Sequence, residues 1–193
     1  MSEVKFDFPR FKIGDTRYAR VTPEHVIIED VLTEKAACLN YQKWRKMLDL
    51  HEEVAEEMDR VDQKLPNVNF RKHIGEYWYV SITSGFYCVD IRKFYRQHGK
   101  LKPTKTGLAL RFREWNLLLD QSAEIHAMRP DIAQTVACYN SHDAYEAYKH
   151  CPECVEYGSS SNLPPPTPPS SPTDSGMGCS TPDLLVDVTT SDP

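Results

Sequence analysis

No uninterrupted apolar run in this 193-residue chain reaches the roughly 18 residues that a membrane-spanning helix needs. Its opening residues, MSEVKFDFPR, hold no apolar segment of the secretory kind, so no signal peptide is expected. Glycine is sparse, at 8 residues, and nowhere gathers into a phosphate-cradling loop. The seven histidines lie in unlike contexts, and no nucleophile–base signature accompanies them. A membrane partner and an enzyme are therefore not expected, and no catalytic residue is assigned. The six cysteines are scattered rather than set in a disulfide framework.

Positive charge is scarce overall, with a formal net charge of -5, but it is concentrated. Between Pro66 and Leu119 ten Lys/Arg face only three acids, Glu76, Asp90 and Glu114. Basic residues there alternate with Trp78, Tyr79, Phe86, Tyr87, Phe94 and Tyr95. Cations that track a backbone, beside rings that stack on unpaired bases, suit a single-stranded nucleic acid. A solvated basic face over an ordinary aromatic core would have the same composition.

Hydrophobic period sorts the chain into elements. Arg17 to Val21 alternates as a strand after the Gly14-Asp15 turn, and His25 to Val31 is a second strand rich in β-branched residues. From Tyr41 to about Val61 the apolar residues Trp44, Met47, Leu48, Val54, Met58 and Val61 recur at three- and four-residue steps. That spacing predicts one amphipathic helix of about 20 residues, with Asn40 as its cap.

The pattern then repeats. KIGDTRYARVT at Lys12 is echoed by HIGEYWYVSIT at His73, and HVIIED at His25 by FYCVDI at Phe86, both 61 residues on. CLNYQKWRKMLDLHEEV at Cys38 is echoed 71 residues on by ALRFREWNLLLDQSAEI at Ala109. Matches in order across strand, strand and helix argue for two units of the same kind. Val80, Ile82, Val89 and Ile91 are expected to face the helix, and Tyr79, Ser81, Thr83, Cys88, Asp90 and Arg92 to face away. On this alignment Arg92 matches Val31, and the ten residues missing from the first unit fall in a basic loop of the second. A single unit of about 60 residues buries little, so the two are expected to pack together.

The expected fold class is α+β: two repeated units, each a curved antiparallel sheet followed by one amphipathic helix, packed as an intramolecular pseudo-dimer. Residues 1–64 form the degenerate first repeat and 65–129 the second. A short helical extension spans 130–157, and a Ser/Pro-rich tail over 158–193 is expected to be disordered. In the extension, Cys138-x3-His142 and His150-Cys151-x2-Cys154 have zinc-like spacing. No glycine supports a knuckle there, and a solvent-facing tail with incidental thiols is the plainer reading. No metal site and no cofactor is assigned.

Several motifs together resemble the single-stranded DNA-binding domain of the transcriptional Positive Cofactor Four family. They are Ile74-Gly75, Tyr79-Val80-Ser81-Ile82, Val89-Asp90-Ile91-Arg92 with Tyr95, Gly99-x-Leu101-Lys102-Pro103, and Gly107-Leu108-Ala109-Leu110 leading to Trp115. The resemblance covers roughly Phe70 to Met128, with a degenerate copy over Phe11 to Met58. It implies four-stranded sheets paired through their helices, and channels for single-stranded or melted DNA. By motif it implies DNA contacts at Arg92, Tyr95, Lys102 and Lys105. Lys93, Arg96, Lys100, Trp78, Tyr79 and Phe86 join them from the basic aromatic stretch, and Arg20 from the first unit. The chain departs from the family pattern in having two copies, and in Trp78 and Thr83 where first-strand basic residues often stand.

The expected function is non-enzymatic binding of single-stranded or unwound DNA, with RNA left open, as a coactivator-like or replication and repair factor. The alternative is a protein-interaction module that keeps the fold without strong nucleic-acid binding. Transcription or replication proteins are the expected protein partners. The expected location is the nucleus if the protein is cellular, and the expected state is a monomer containing its own pseudo-dimer.

Overall fold

The computed structural model describes residues 8–142 and 145–155. The expected disordered tail at 158–193 lies outside the described residues. Two four-stranded antiparallel sheets form the body, each in simple up-and-down order. The first comprises β1 (Arg10–Lys12), β2 (Arg17–Val21), β3 (His25–Asp30) and β4 (Lys35–Asn40). It leads into α1 (Tyr41–Asp49) and α2 (His51–Asp62). The second comprises β5 (Asn69–Gly75), β6 (Trp78–Thr83), β7 (Cys88–Gln97) and β8 (Lys100–Arg111). It leads into α3 (Phe112–Met128), followed by α4 (Pro130–Gln134), a 3-10 turn at Cys138–Asn140 and α5 (Tyr145–His150).

Alternation places the apolar residues as their period requires. Val80, Ile82, Val89 and Ile91 are all buried. Asn40 caps α1, its side-chain oxygen accepting from the Lys43 N–H at 2.9 Å. The single helix expected over Tyr41 to Val61 is instead two, because the chain bends at Leu50 (φ -85, ψ 2). The bend lets α1 lie on β4 and β5 while α2 reaches β6, so the first unit's helices cover part of the second unit's sheet. Trp44, Met47, Val54, Met58 and Val61 all stay buried across it. α3 lies on β7 and β8 with Trp115, Leu118 and Ile125 inward. One hydrophobic cluster takes in both sheets and helices α1 to α4. Trp44 and Trp115 are fully buried in it, each contributing about 3 kcal/mol.

The pairing corrects the sequence alignment of the units. In the first sheet Ala19 pairs with Ile28 and Tyr18 with Glu29. In the second, Val80 pairs with Ile91 and Tyr79 with Arg92. Arg92 therefore occupies the place of Glu29, not of Val31. The turn before β7 is two residues longer than its counterpart before β3, and an even shift keeps every side chain on its face. The remaining eight extra residues are not a loop. They lengthen β7 and β8 into a hairpin in which Tyr95 pairs with Lys102 and Gln97 with Lys100, with His98 and Gly99 at the tip. β8 is an edge strand, so Pro103 costs the sheet no ladder hydrogen bond.

Candidate nucleic-acid interface

The hairpin departs from regular pairing between Arg92 and Phe94. Before this bulge, Cys88, Asp90 and Arg92 share the face turned from the core. Phe94, two residues after Arg92, continues on that same face; the irregularity lies on β8, where four steps from Gly107 to Pro103 answer two from Arg92 to Phe94. The Phe94 ring meets Tyr79 at 5.1 Å between centroids, and Tyr79 meets His73 at 5.2 Å. The Arg71 guanidinium stacks 4.8 Å above Phe94. Tyr79 is only 3% exposed as a result.

Gly107 makes the bulge possible. Its φ is +129, and a Cβ there would lie 2.3 Å from the Ile91 carbonyl oxygen and 2.6 Å from Arg92 Cα. Only glycine permits that approach. Arg92 is then held at the base of the hairpin: its Nε donates to both Asp90 oxygens at 3.0 and 3.1 Å, and Nη1 to the Thr104 carbonyl at 2.9 Å. The Thr104 hydroxyl donates in turn to the Lys93 carbonyl at 2.9 Å.

The sequence-assigned residues thus divide. Arg92 and Arg96 lie on the face of Phe94, whereas Tyr95, Lys100 and Lys102 lie on the opposite face of the hairpin. Lys100, Lys102 and Lys105 are exposed, and none forms an ion pair among the described residues. Arg96 donates to the Gly99 carbonyl at 3.2 Å, which stiffens the tip. Phe86 is 65% exposed in the turn before β7, beside Tyr87, whose ring packs on Phe112. Trp78 is buried, with Lys93 Nζ 5.5 Å from its ring. Trp78 and Tyr79 were expected to offer ring faces. Here they are occupied by their neighbours, among them Phe94 and Lys93; Phe94 and Arg71 were not among the contacts assigned from sequence.

Arg20 differs most from its expected role. It is 8% exposed, and its Nη2 pairs with Glu29 at 3.3 Å. Glu29 also pairs with Arg10 at 3.5 Å. Arg17 is engaged by Asp30 and by Glu114 of the second unit. Burial alone would raise the Asp30 pKa. Hydrogen bonds from the Thr16 hydroxyl and the Leu32 and Thr33 amides outweigh it and hold the carboxyl below its ordinary value, as an ionised partner for Arg17. The arginines of the first sheet are therefore held by acids of the same chain, Arg10 and Arg20 on its open face and Arg17 on the helix side.

Away from the sheets, Cys138, His142, Cys151 and Cys154 converge, their ligand atoms all within 4.8 Å of one another. Cys154 is buried and the other three are partly buried, so the segment is not a solvent-facing tail. The Cys151–Cys154 turn docks on the body: the Glu76 N–H donates to the Pro152 carbonyl at 2.9 Å, and buried Lys43 reaches Glu153 at 2.8 Å.

Among the described residues no helix is long and apolar enough to cross a membrane. Comparison with curated proteins and with solved structures finds no match. Comparison with protein families does find one, over the turn before β7, the whole β7–β8 hairpin and the first part of α3. At residues 84–121 the chain carries the sequence signature of the family described as Transcriptional Coactivator p15 (PC4).

Proposed function

We propose that this chain is a non-enzymatic, DNA-binding transcriptional cofactor that holds single-stranded or unwound DNA along the β7–β8 hairpin of its second unit. The observation that carries this reading is the hairpin itself. It lies within the family match and presents Lys100, Lys102 and Lys105 to solvent beside the half-buried Tyr95. Lysines along an extended edge neutralise successive phosphates, while Tyr95 and the exposed Phe86 supply stacking surfaces. Arg92 adds a charge at the hairpin base whose donors a phosphate would share with Asp90. The shared core supports a monomer with both units inside one chain, and the family supports a nuclear setting.

Fluorescence anisotropy with a labelled single strand, against duplex of equal length at two salt concentrations, tests this. Tighter binding to the single strand that weakens with salt is expected. Absence of binding at low salt overturns it. It would favour a protein-interaction module instead, for which the neutralised first face and the Asp90–Arg92 pair are the relevant observations.

A further inference from the structure

The geometry points to a structural zinc site formed by Cys138, His142, Cys151 and Cys154. This goes beyond DNA binding and stands independently of it. It departs from the sequence expectation that no metal is held.

Three distances define the cluster. Cys138 Sγ lies 3.5 Å from Cys151 Sγ and 3.5 Å from His142 Nε2, and His142 Nε2 lies 3.2 Å from Cys154 Sγ. With zinc–sulfur bonds of about 2.3 Å and zinc–nitrogen bonds of about 2.0 Å, the edges of a tetrahedron are roughly 3.5–3.8 Å. Two of these edges match, the third is shorter at 3.2 Å, and all four ligand atoms lie within 4.8 Å of one another, close to the spacing of four ligands around one ion. Cys138, Cys151 and Cys154 are free thiols. Thiols are weak hydrogen-bond partners, so mutual bonding alone gives three of them and an imidazole little reason to converge.

The surroundings are built to receive the cluster. The Cys154 and Val155 amides donate to the Cys151 carbonyl at 3.1 and 3.0 Å, closing a tight turn that brings Cys151 and Cys154 to one side. That turn is anchored on its other side by Lys43 and by the Glu76 amide. Gly75 leaves room for it: a Cβ there would lie 2.2 Å from Glu153 Oε2. Lys46 Nζ donates to the Glu153 carbonyl at 3.3 Å, setting a cation beside the cluster. Three thiolates and a neutral imidazole on a divalent ion leave a net negative charge, which Lys46 offsets. Four protein ligands fill the tetrahedron, so the site is structural rather than catalytic, and soft sulfur donors select zinc over magnesium or calcium. On binding, the thiols release their protons to solvent.

The test uses the full chain, purified after expression with zinc supplied. Elemental analysis is expected to find about one zinc per chain. Replacement by cobalt should yield a near-ultraviolet thiolate charge-transfer band and the intense red bands of tetrahedral cobalt. Cys154→Ser should weaken zinc retention against a chelator by more than the roughly tenfold cost of losing an outer-shell partner. Cys88→Ser, which removes a free thiol of β7 outside the cluster, should leave it unchanged. A zinc-free wild type, a pale octahedral cobalt spectrum, or a Cys138–Cys151 disulfide found by mass mapping would each overturn the proposal. The wild-type spectrum decides the matter even if the serine variant fails to fold.

Discussion

The two sheets share one topology and carry opposite charges at one pair of matching positions on their open faces. On the first open face Glu29 sits opposite Tyr18 and draws Arg10 and Arg20 onto itself. On the second, Arg92 sits opposite Tyr79, and Arg71, at the position of Arg10, stacks on Phe94. One face is closed by internal ion pairs. The other ends in an extended basic hairpin that the first unit lacks. The fold is thus indifferent to whether this face carries ligand contacts, because neither Glu29 nor Arg92 contributes to the shared apolar core.

The comparison can be broken most severely at Gly107 and its counterpart Ala36. Gly107→Ala should cost on the order of 3 kcal/mol in denaturant unfolding, since its Cβ meets backbone atoms at a positive φ. Ala36→Gly should cost only about 0.5–1 kcal/mol. Equal losses would mean that the bulge is not what separates the hairpins.

The acids should separate next. Glu29→Gln leaves Arg20 buried without its carboxylate and should destabilise the chain by about 2 kcal/mol, read as a fall in the urea midpoint. Asp90→Asn frees Arg92 and should instead tighten single-strand binding a few-fold with little change in stability. Weaker binding by Asp90→Asn would indicate that the acid orients Arg92 rather than competing with its ligand.

Lysines come third. Lys102→Ala and Lys105→Ala should each lower the slope of log affinity against log salt by about 0.7. Lys12→Ala and Lys35→Ala, on the first sheet, should leave it unchanged.

The smallest effect concerns the seam between the units. The Trp44 indole N–H donates to His126 Nε2 at 3.1 Å, which requires a neutral imidazole. Burial, and secondarily Arg45, lower the His126 pKa. The unfolded chain then binds the proton more readily than the native one. Stability from this group is complete above the unfolded value of about 6.5 and falls as pH drops through the native value. Acidification from pH 7 to 5 should lower the urea midpoint, and His126→Gln should remove most of this group's share of that dependence.

The core was largely legible from period alone, since Val80, Ile82, Val89 and Ile91 alternate and Asn40 is a short acceptor ahead of an amphipathic run. The hairpin was not. Gly99, Lys100, Lys102, Pro103 and Lys105 have low strand propensity, and pairing across the tip overrides it. Phe94 shares the face of Arg92 by plain alternation, but its closure over Tyr79 together with Arg71 and His73 joins three strands, which the period of one strand does not report. The Cys/His cluster joins residues up to sixteen positions apart, and the surfaces that seat it belong to α1 and the β5–β6 turn. The Glu29 match was missed because two residues of turn length displaced the alignment.

Joining both units in one polypeptide has a consequence for inheritance. In a symmetric homodimer every substitution is made twice, so a face cannot lose its ligand contacts on one side alone. Here Glu29 and Arg92 hold matching positions on two sheets of one chain, so either can change without the other. Each half is free to drift toward a separate task while the body they form together is preserved.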